Sequence, residues 1–107
     1  MRPTLGSLLQ GDVVLLDGAM GSALMARGMP PGTPPDLWNL ERPAEVRAVH
    51  ASYVAAGSIV VQTNTFGANP LALARHGLDG QAEEINRAGV RIARDAAGED
   101  RLVAGDV

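Results

Sequence analysis

The chain has 107 residues, of which 46% are apolar and 20% charged, with a net charge of −3 and no cysteine. This length suits one small domain, and the lack of a basic cluster argues against a nucleic-acid surface or a polybasic membrane anchor. The start lacks a signal-peptide core, and no apolar run approaches the roughly 20 residues of a membrane helix. We therefore expect a soluble cytoplasmic protein, without disulfides or a thiolate metal site in this stretch.

The first quarter of the chain predicts a strand between two short helices. Residues 4–10 favour a short leading helix. Residues 13–16, Val-Val-Leu-Leu, form a continuous apolar run, which is typical of a parallel strand covered on both faces. Residues 19–27 then favour a helix that ends at Gly28.

A proline-rich segment follows. The run PPGTPP at residues 30–35 predicts a linker without regular structure. We interpret residues 36–40, Asp-Leu-Trp-Asn-Leu, as a loop that carries apolar side chains. Trp38 in this loop either forms a lid over a binding site or only pins the loop in place.

The rest of the chain alternates helices and strands. Pro43 suits the first turn of a helix that runs to about Ala56 and is followed by Gly57. The later segments are a strand at 58–63, a short segment around 71–76, a long helix at 81–97 and a strand at 101–105.

The order strand, helix, strand, helix, strand predicts a parallel α/β sheet with right-handed helical crossovers. Two architectures fit this order. A small doubly wound sheet is favoured by the length of the chain. The opening β/α units of a (β/α)8 barrel, which needs about 250 residues in all, are favoured because the chain stops after the third strand without a covering helix.

Ligands of parallel α/β folds bind at the carboxyl ends of the strands. In this chain those ends are residues 17–21, 63–67 and 105–107. We expect the three segments to lie side by side on one face of the sheet.

Asp17 is the carboxylate at the end of the first predicted strand. It would either accept hydrogen bonds from a cationic group, such as the ammonium of an amino acid, or cap the following helix. Gly18 and Gly21 would let a substrate approach the backbone, and the amides at the start of the helix could receive a carboxylate.

Thr63, Asn64 and Thr65 follow the second predicted strand. They would either bond a polar substrate or satisfy loop backbone groups. The segment Gly-Ala-Met-Gly at 18–21 matches neither a dinucleotide-binding fingerprint nor a phosphate loop.

The histidines and methionines predict structural roles. We interpret His50 as a flanking or packing residue of its helix and His76 as a cap at a helix end. No pattern of nearby carboxylates suggests a metal site at either histidine. Met20, Met25 and Met29 are typical of gap-filling residues in a core.

Five segments together resemble the N-terminal part of the homocysteine S-methyltransferase family. They match in order and spacing from about residue 12 to the last residue. These segments are LLDGAMGSAL, DLWNLERPAEVRAVHASYVAAGS, QTNTFGAN, EEINRAGVRIARDAA and LVAGDV.

The resemblance implies a truncated (β/α)8 TIM barrel in which zinc binds the thiolate of homocysteine, which then attacks a methyl donor to give methionine. Asp17 matches the family residue that holds the homocysteine amino group. Gly18, Ala19 and Met20 would line the amino-acid pocket. The same resemblance places Thr63 beside the substrate and assigns Asn64, Thr65 and Phe66 to that face.

The chain departs from the family pattern in one respect. The zinc ligands of the family are cysteines on later strands, and this chain has no cysteine. We therefore expect residues 1–107 to be an inactive fragment that requires the C-terminal part of the barrel or associates with itself. A binding module without methyltransferase activity is the alternative.

The methyl donor stays open at this stage. The segment TNTFG resembles methionine synthases linked to cobalamin or folate, whereas Asp36-Leu37-Trp38-Asn39 resembles bacterial betaine-type enzymes. Gly67 stands where animal betaine enzymes have a tyrosine that helps to hold the donor.

Overall fold

The computed structural model describes residues 3–10 and 14–106, and of Leu9 the backbone alone. Within these ranges the chain is a mixed α/β arrangement of helices around a small parallel sheet. The helices are α1 Leu5–Leu9, α2 Gly21–Ala26, α3 Trp38–Glu41, α4 Pro43–Ala55, α5 Pro70–Ala74 and α6 Ala82–Ala97, and the strands are β1 Val60–Gln62 and β2 Leu102–Ala104. Two short 3₁₀ turns, Pro35–Leu37 and Asp79–Gln81, precede α3 and α6.

The sheet pairs β1 with β2 in parallel, with Val60 opposite Leu102 and Gln62 opposite Ala104. The connection between the two strands runs through α5 and α6, as a parallel pair requires. Both strands were predicted, and each is shorter than its predicted range of 58–63 or 101–105.

The first predicted strand, residues 13–16, is reduced to one isolated parallel bridge between Leu16 and Val60. Val13 lies outside the described residues. The segment still runs along β1, because the amide of Ile59 donates to the Leu15 carbonyl at 2.9 Å and that of Asp17 donates to the Val60 carbonyl at 3.2 Å. Leu15 and Leu16 are 52% and 51% exposed, so little burial holds this edge in a regular strand.

The two long helices begin and end close to the predicted positions. Pro43 occupies the first turn of α4, where its missing N–H costs no hydrogen bond. Gly57 and Gly98 follow α4 and α6 with φ angles of 111° and 69°, a backbone conformation that favours glycine. In the described ranges, no helix combines the length and the apolar character that crossing a bilayer requires.

The prediction of a loop at residues 36–40 is wrong. Pro35 opens the 3₁₀ turn, which continues directly into α3. Burial explains the helical conformation, because Trp38 is only 7% exposed and packs with Leu24, Val46 and other members of one core cluster. Trp38 therefore anchors this segment to the core and does not form a lid.

The described core is built from aliphatic side chains in three clusters. The first cluster joins α2, α3, α4 and α6 and contains Met29, which fills a gap as predicted, whereas Met25 is 46% exposed. The second cluster packs Val61 of β1 against α6. The third packs Leu73 of α5 against Ile85 of α6. The two long helices thus fix the positions of the loops that follow the strands.

Candidate active site

A cleft of about 420 Å³ opens where β1 and β2 end. Its walls come from the segments after β1 and β2, the start of α2, the 3₁₀ turn, and α5 with the residues after it. The lining residues are Met20, Gly21, Pro34, Pro35, Asp36, Thr63, Asn64, Thr65, Phe66, Gly67, Ala72, Leu73, Arg75, His76 and Asp106. All three predicted strand-end segments thus contribute residues to this edge of the sheet, and Val107 lies outside the described residues.

Two threonines join the loop after β1 to the end of β2. The hydroxyl oxygens of Thr63 and Thr65 are 2.6 Å apart. The amide of Asp106 donates to Thr63 Oγ1 at 3.1 Å, and Thr65 Oγ1 donates to the Asp106 carbonyl at 2.8 Å. Since the Thr65 proton is committed to that carbonyl, Thr63 must donate to Thr65. Both hydroxyl protons are therefore used within the protein, and the two oxygens retain only acceptor capacity.

Two buried amides clamp the same loop to the helices. The Asn64 side-chain amide donates to the Pro35 carbonyl at 2.8 Å and to Asn39 Oδ1 at 3.0 Å. In return, the Asn39 amide donates to the backbone carbonyls of Asn64 at 2.8 Å and Ile85 at 3.2 Å. The polar side chains after β1 thus bond loop backbone groups, which was one of the two interpretations of this cluster. The part played by Asn39 was not predicted, and the only signal for it is an amide inside an apolar segment.

Asp36 is a second buried carboxylate in the cleft wall that sequence reasoning did not select. It is 5% exposed, and its Oδ2 accepts a hydrogen bond from the Gly67 amide at 3.0 Å. Burial raises the pKa of Asp36, and the nearby Asp106 charge acts in the same direction. A Cβ atom at Gly67 would come within 3.1 Å of Asp36 Oδ1, so the cleft wall is built for a glycine at this position.

Asp17 lies behind the cleft wall and connects the first strand segment to β1. Its Oδ2 accepts a hydrogen bond from the Gln62 amide at 3.1 Å. It does not cap α2, because the residue at the cap position is Met20 and no side chain bonds that helix start. Oδ1 of Asp17 is buried and has no hydrogen-bond partner among the described residues. Burial raises the pKa of Asp17, and the Asp106 charge adds to this effect.

His50 faces Asp17 from α4. It is completely buried, and its Nδ1 lies 4.0 Å from Asp17 Oδ2. Neither ring nitrogen has a hydrogen-bond partner in the described part of the chain. Burial lowers the pKa of His50 to about 4, so the imidazole is neutral at physiological pH. The sequence predicted a flanking or packing residue but gave no sign of the contact with Asp17.

Of the other residues predicted near Asp17, Gly18 and Ala19 contact Tyr53 and Met20 reaches the cleft. Gly18 packs against the ring of Tyr53, which a Cβ atom would meet at 2.8 Å. The Tyr53 hydroxyl donates to the Ala19 carbonyl at 2.8 Å. Of this group, Met20 reaches the cleft, whereas Asp17, Gly18 and Ala19 do not line it.

Exposed side chains form the rim of the cleft. Phe66 is 73% exposed and lies on the same rim as Arg75 and His76. His76 was predicted to cap a helix end, but its exposed side chain lines the cleft two residues after α5 ends. The rim thus offers one aromatic face and one fixed positive charge.

The residues present do not fit the zinc site that the resemblance implies. The chain contains no cysteine. In the ranges that the structure describes, no three histidine or acidic side chains are grouped so that they could hold a metal ion.

Comparison with known proteins identifies relatives of one kind. The sequence profile described as homocysteine S-methyltransferase matches residues 14–107. A betaine–homocysteine S-methyltransferase 1 from Danio rerio is 40% identical over 113 residues, and an S-methylmethionine–homocysteine S-methyltransferase BHMT2 from Pongo abelii is 35% identical over 111 residues. Each match covers 99% of this chain and 28% of the relative.

Solved structures show the same similarity. The metallated form of the homocysteine methyltransferase MmuM from Escherichia coli superposes with a TM-score of 0.76 at 35% identity. The match covers 94% of this chain and 40% of that protein. The chain thus spans well under half the length of the relatives that it matches.

Proposed function

Because the chain belongs to the homocysteine S-methyltransferase family, we propose that it supplies the amino-acid-binding portion of a (β/α)8 barrel that converts homocysteine to methionine. The strand segment at residues 14–17, β1 and β2 would be the first three barrel strands. The zinc of the family and its cysteine ligands would be supplied by later strands outside residues 1–107. On this proposal, residues 1–107 alone are inactive.

The observation that carries the proposal is the convergence of acceptor groups at the ends of the strands. Thr63 and Thr65 have committed their hydroxyl protons, and one carboxylate oxygen of Asp17 has no partner in the part of the chain that the structure describes. Spare acceptors suit a donor-bearing cationic group, such as the ammonium of an amino acid. The carboxylates of Asp36 and Asp106 strengthen the preference for a cation.

In this proposal each residue has a defined role. Asp17 accepts a hydrogen bond from the homocysteine ammonium through Oδ1. Because this oxygen is buried behind the cleft wall, the wall must shift when the ligand binds. Thr63 and Thr65 hold the loop in place and offer their remaining lone pairs, and Met20 and Phe66 supply apolar contact for the side chain. The names of two relatives specify betaine and S-methylmethionine as donors. We expect a full-length enzyme assayed with betaine, S-methylmethionine, methylcobalamin and methyltetrahydrofolate to identify the donor here.

The test is the affinity of the full-length protein for homocysteine, measured by isothermal titration calorimetry. D17N removes the charge but keeps an acceptor, and we expect homocysteine binding to weaken about 10- to 100-fold, since a hydrogen bond to a charged group is worth about 1.5–3 kcal/mol. D95N is the matched control, because that carboxylate on α6 is 74% exposed and lies 3.9 Å from the exposed Arg47 of α4, away from the cleft. Unchanged affinity with a lower melting temperature would assign Asp17 to stability alone.

A further inference from the structure

We infer that His50 is a positioning residue for Asp17: its Nδ1–H holds the carboxylate so that the unpartnered Oδ1 receives the ammonium of the substrate. This inference rests on the proposed function, in which Asp17 binds that ammonium. It assigns a role to a helix residue that has no contact with the cleft.

Three buried polar atoms meet here without partners among the described residues: Asp17 Oδ1, His50 Nδ1 and His50 Nε2. A buried polar group is nearly always hydrogen-bonded, so three exceptions in one pair of side chains require an explanation. The neighbouring threonines and asparagines each form hydrogen bonds within the protein, which shows that this part of the fold can satisfy its polar groups. The unsatisfied pair is therefore the place where a further group completes the hydrogen bonding.

The position of His50 next to Asp17 favours one of the two neutral tautomers of the imidazole. His50 Nδ1 is 4.0 Å from Asp17 Oδ2, and a shift of about 1 Å would give an ordinary hydrogen bond. Hydrogen bonds of a binding site are often long before the ligand binds and shorten in the complex. With the proton on Nδ1, the donor faces the carboxylate and only the acceptor Nε2 stays unpaired. With the proton on Nε2, a lone pair would face the carboxylate and the N–H would be buried without a partner.

The Asp17 carboxylate is fixed from two sides in this arrangement. The Gln62 amide holds Oδ2 from the strand side, and His50 approaches the same oxygen from the helix side. Both groups stabilise the charged carboxylate and leave Oδ1 free. Without His50, the carboxyl group would rotate about its bond to Cβ, and an ammonium would meet a less ordered acceptor.

Two ligands separate a positioning role from a structural one in the full-length protein. Homocysteine carries the ammonium, and 4-sulfanylbutanoate lacks it but is otherwise the same. We expect H50L, which keeps the volume and removes the donor, to weaken homocysteine binding about 5- to 20-fold and to leave binding of 4-sulfanylbutanoate unchanged. H50N retains an N–H at the Nδ1 position and should restore most of the lost affinity.

The double variant tests whether the effect passes through Asp17. D17N combined with H50L should bind homocysteine no more weakly than D17N alone. Equal losses for both ligands, or no loss in H50L, would overturn the positioning role. If D17N itself leaves homocysteine affinity unchanged, the proposed ammonium site fails first, and that result is distinct from a failure confined to His50.

A measurement on the unaltered protein covers the case in which the variants do not fold. The ¹⁵N chemical shifts of labelled histidine distinguish the two neutral tautomers of an imidazole. We expect the Nδ1–H tautomer for His50 at pH 7. The Nε2–H tautomer or an imidazolium at this pH would overturn the inference.

Discussion

Individual polar residues of this site differ in whether their hydrogen bonds are complete. Asn39 and Asn64 bond each other and two further carbonyls, so removing either amide leaves buried groups unpaired at a cost of about 1–3 kcal/mol each. Asp17 and His50, in contrast, have buried polar atoms without hydrogen-bond partners among the described residues. Their burial destabilises the fold until a ligand or a shift in geometry supplies those hydrogen bonds. The first pair contributes stability, and we assign the second pair to binding.

The burial of His50 makes stability depend on pH. Its pKa falls from 6.5 to about 4 in the folded state. Between pH 6.5 and pH 4, His50 is therefore protonated in the unfolded chain and neutral in the folded one. The free energy of unfolding should therefore fall as pH drops from 6.5 to 4, by up to about 3 kcal/mol from this group alone. Urea unfolding at several pH values measures the effect.

The H50L variant is the control for this pH dependence, because it lacks the titrating ring. The carboxylate that faces His50, Asp17, has a raised pKa and acts with the opposite sign, since the folded state takes up its proton first as pH falls. The difference between the pH profiles of the unaltered protein and of H50L therefore gives the contribution of His50 alone. Parallel pH profiles for both would contradict the burial of a neutral imidazole.

The helix α6 packs directly against the loop after β1. A Cβ atom at Gly89 of this helix would lie 2.7 Å from Thr65 Cγ2 and 2.8 Å from Asn39 Nδ2. We expect G89A to destabilise the protein by about 1–3 kcal/mol through overpacking, although alanine favours a helix. Thermal unfolding measures the loss of stability, and NMR of the Asn39 and Asn64 side-chain amides would report displacement of these two residues.

The matched control for this prediction is G6A, a glycine-to-alanine change in the helix α1. Among the described residues, no atom lies within 4 Å of a Cβ built at Gly6, so we expect only the helix propensity to change. G6A should leave stability unchanged or raise it by up to about 1 kcal/mol. Equal effects of both substitutions would show that α6 does not pack tightly on the loop after β1.

Periodicity predicted the elements that bury a whole helical face. Val46 and Val49 of α4 and Ile85 and Ile92 of α6 repeat at helical spacing, and the structure buries all four. Residues 36–40 were predicted wrongly, because a 3₁₀ turn and a four-residue helix are too short to give a period. We predicted a strand at Leu16 because its neighbours are apolar, but in the described structure Leu16 pairs with a strand residue, Val60, on one side only.

Sequence order predicted where the site lies but not its hydrogen bonds. Thr63, Asn64 and Thr65 follow a buried strand in the sequence, and all three line the cleft in the structure. The partner of Asn64 is Asn39, 25 residues earlier in the chain, and no local pattern encodes that pairing. His50 lies on the buried side of α4, and the sequence does not reveal which strand-end residue it faces. Contacts between distant elements depend on how the helices pack, and a single sequence does not specify this.

For the molecule as a whole, the exposed sheet edge predicts association. Leu15 and Leu16 are about half exposed beside β1, and exposed edges of a sheet recruit further strands. We expect residues 1–107, purified alone, to elute above monomer mass in size-exclusion chromatography with light scattering. L15K should reduce association, because a charged side chain on an edge opposes pairing.

L71K is the matched control, since Leu71 is 84% exposed on α5, away from the sheet edge. A monomer at all concentrations that unfolds in one cooperative step would contradict this prediction. That result would favour an independently folded binding module over a portion of a larger barrel.

The hydrogen bonds from Thr63 and Thr65 to Asp106 can form only after the ribosome has synthesised residue 106. Asp106 is 43 residues downstream of Thr63, and its backbone forms the far side of the threonine network. At about 5–20 residues per second, a ribosome needs about 2–9 seconds to synthesise that interval. During this time β1 is already made, but the loop after it lacks the partner that orders its hydroxyls. The binding cleft is therefore completed late in the translation of this segment. Until then, chaperones would meet a partly folded chain with an exposed apolar sheet edge.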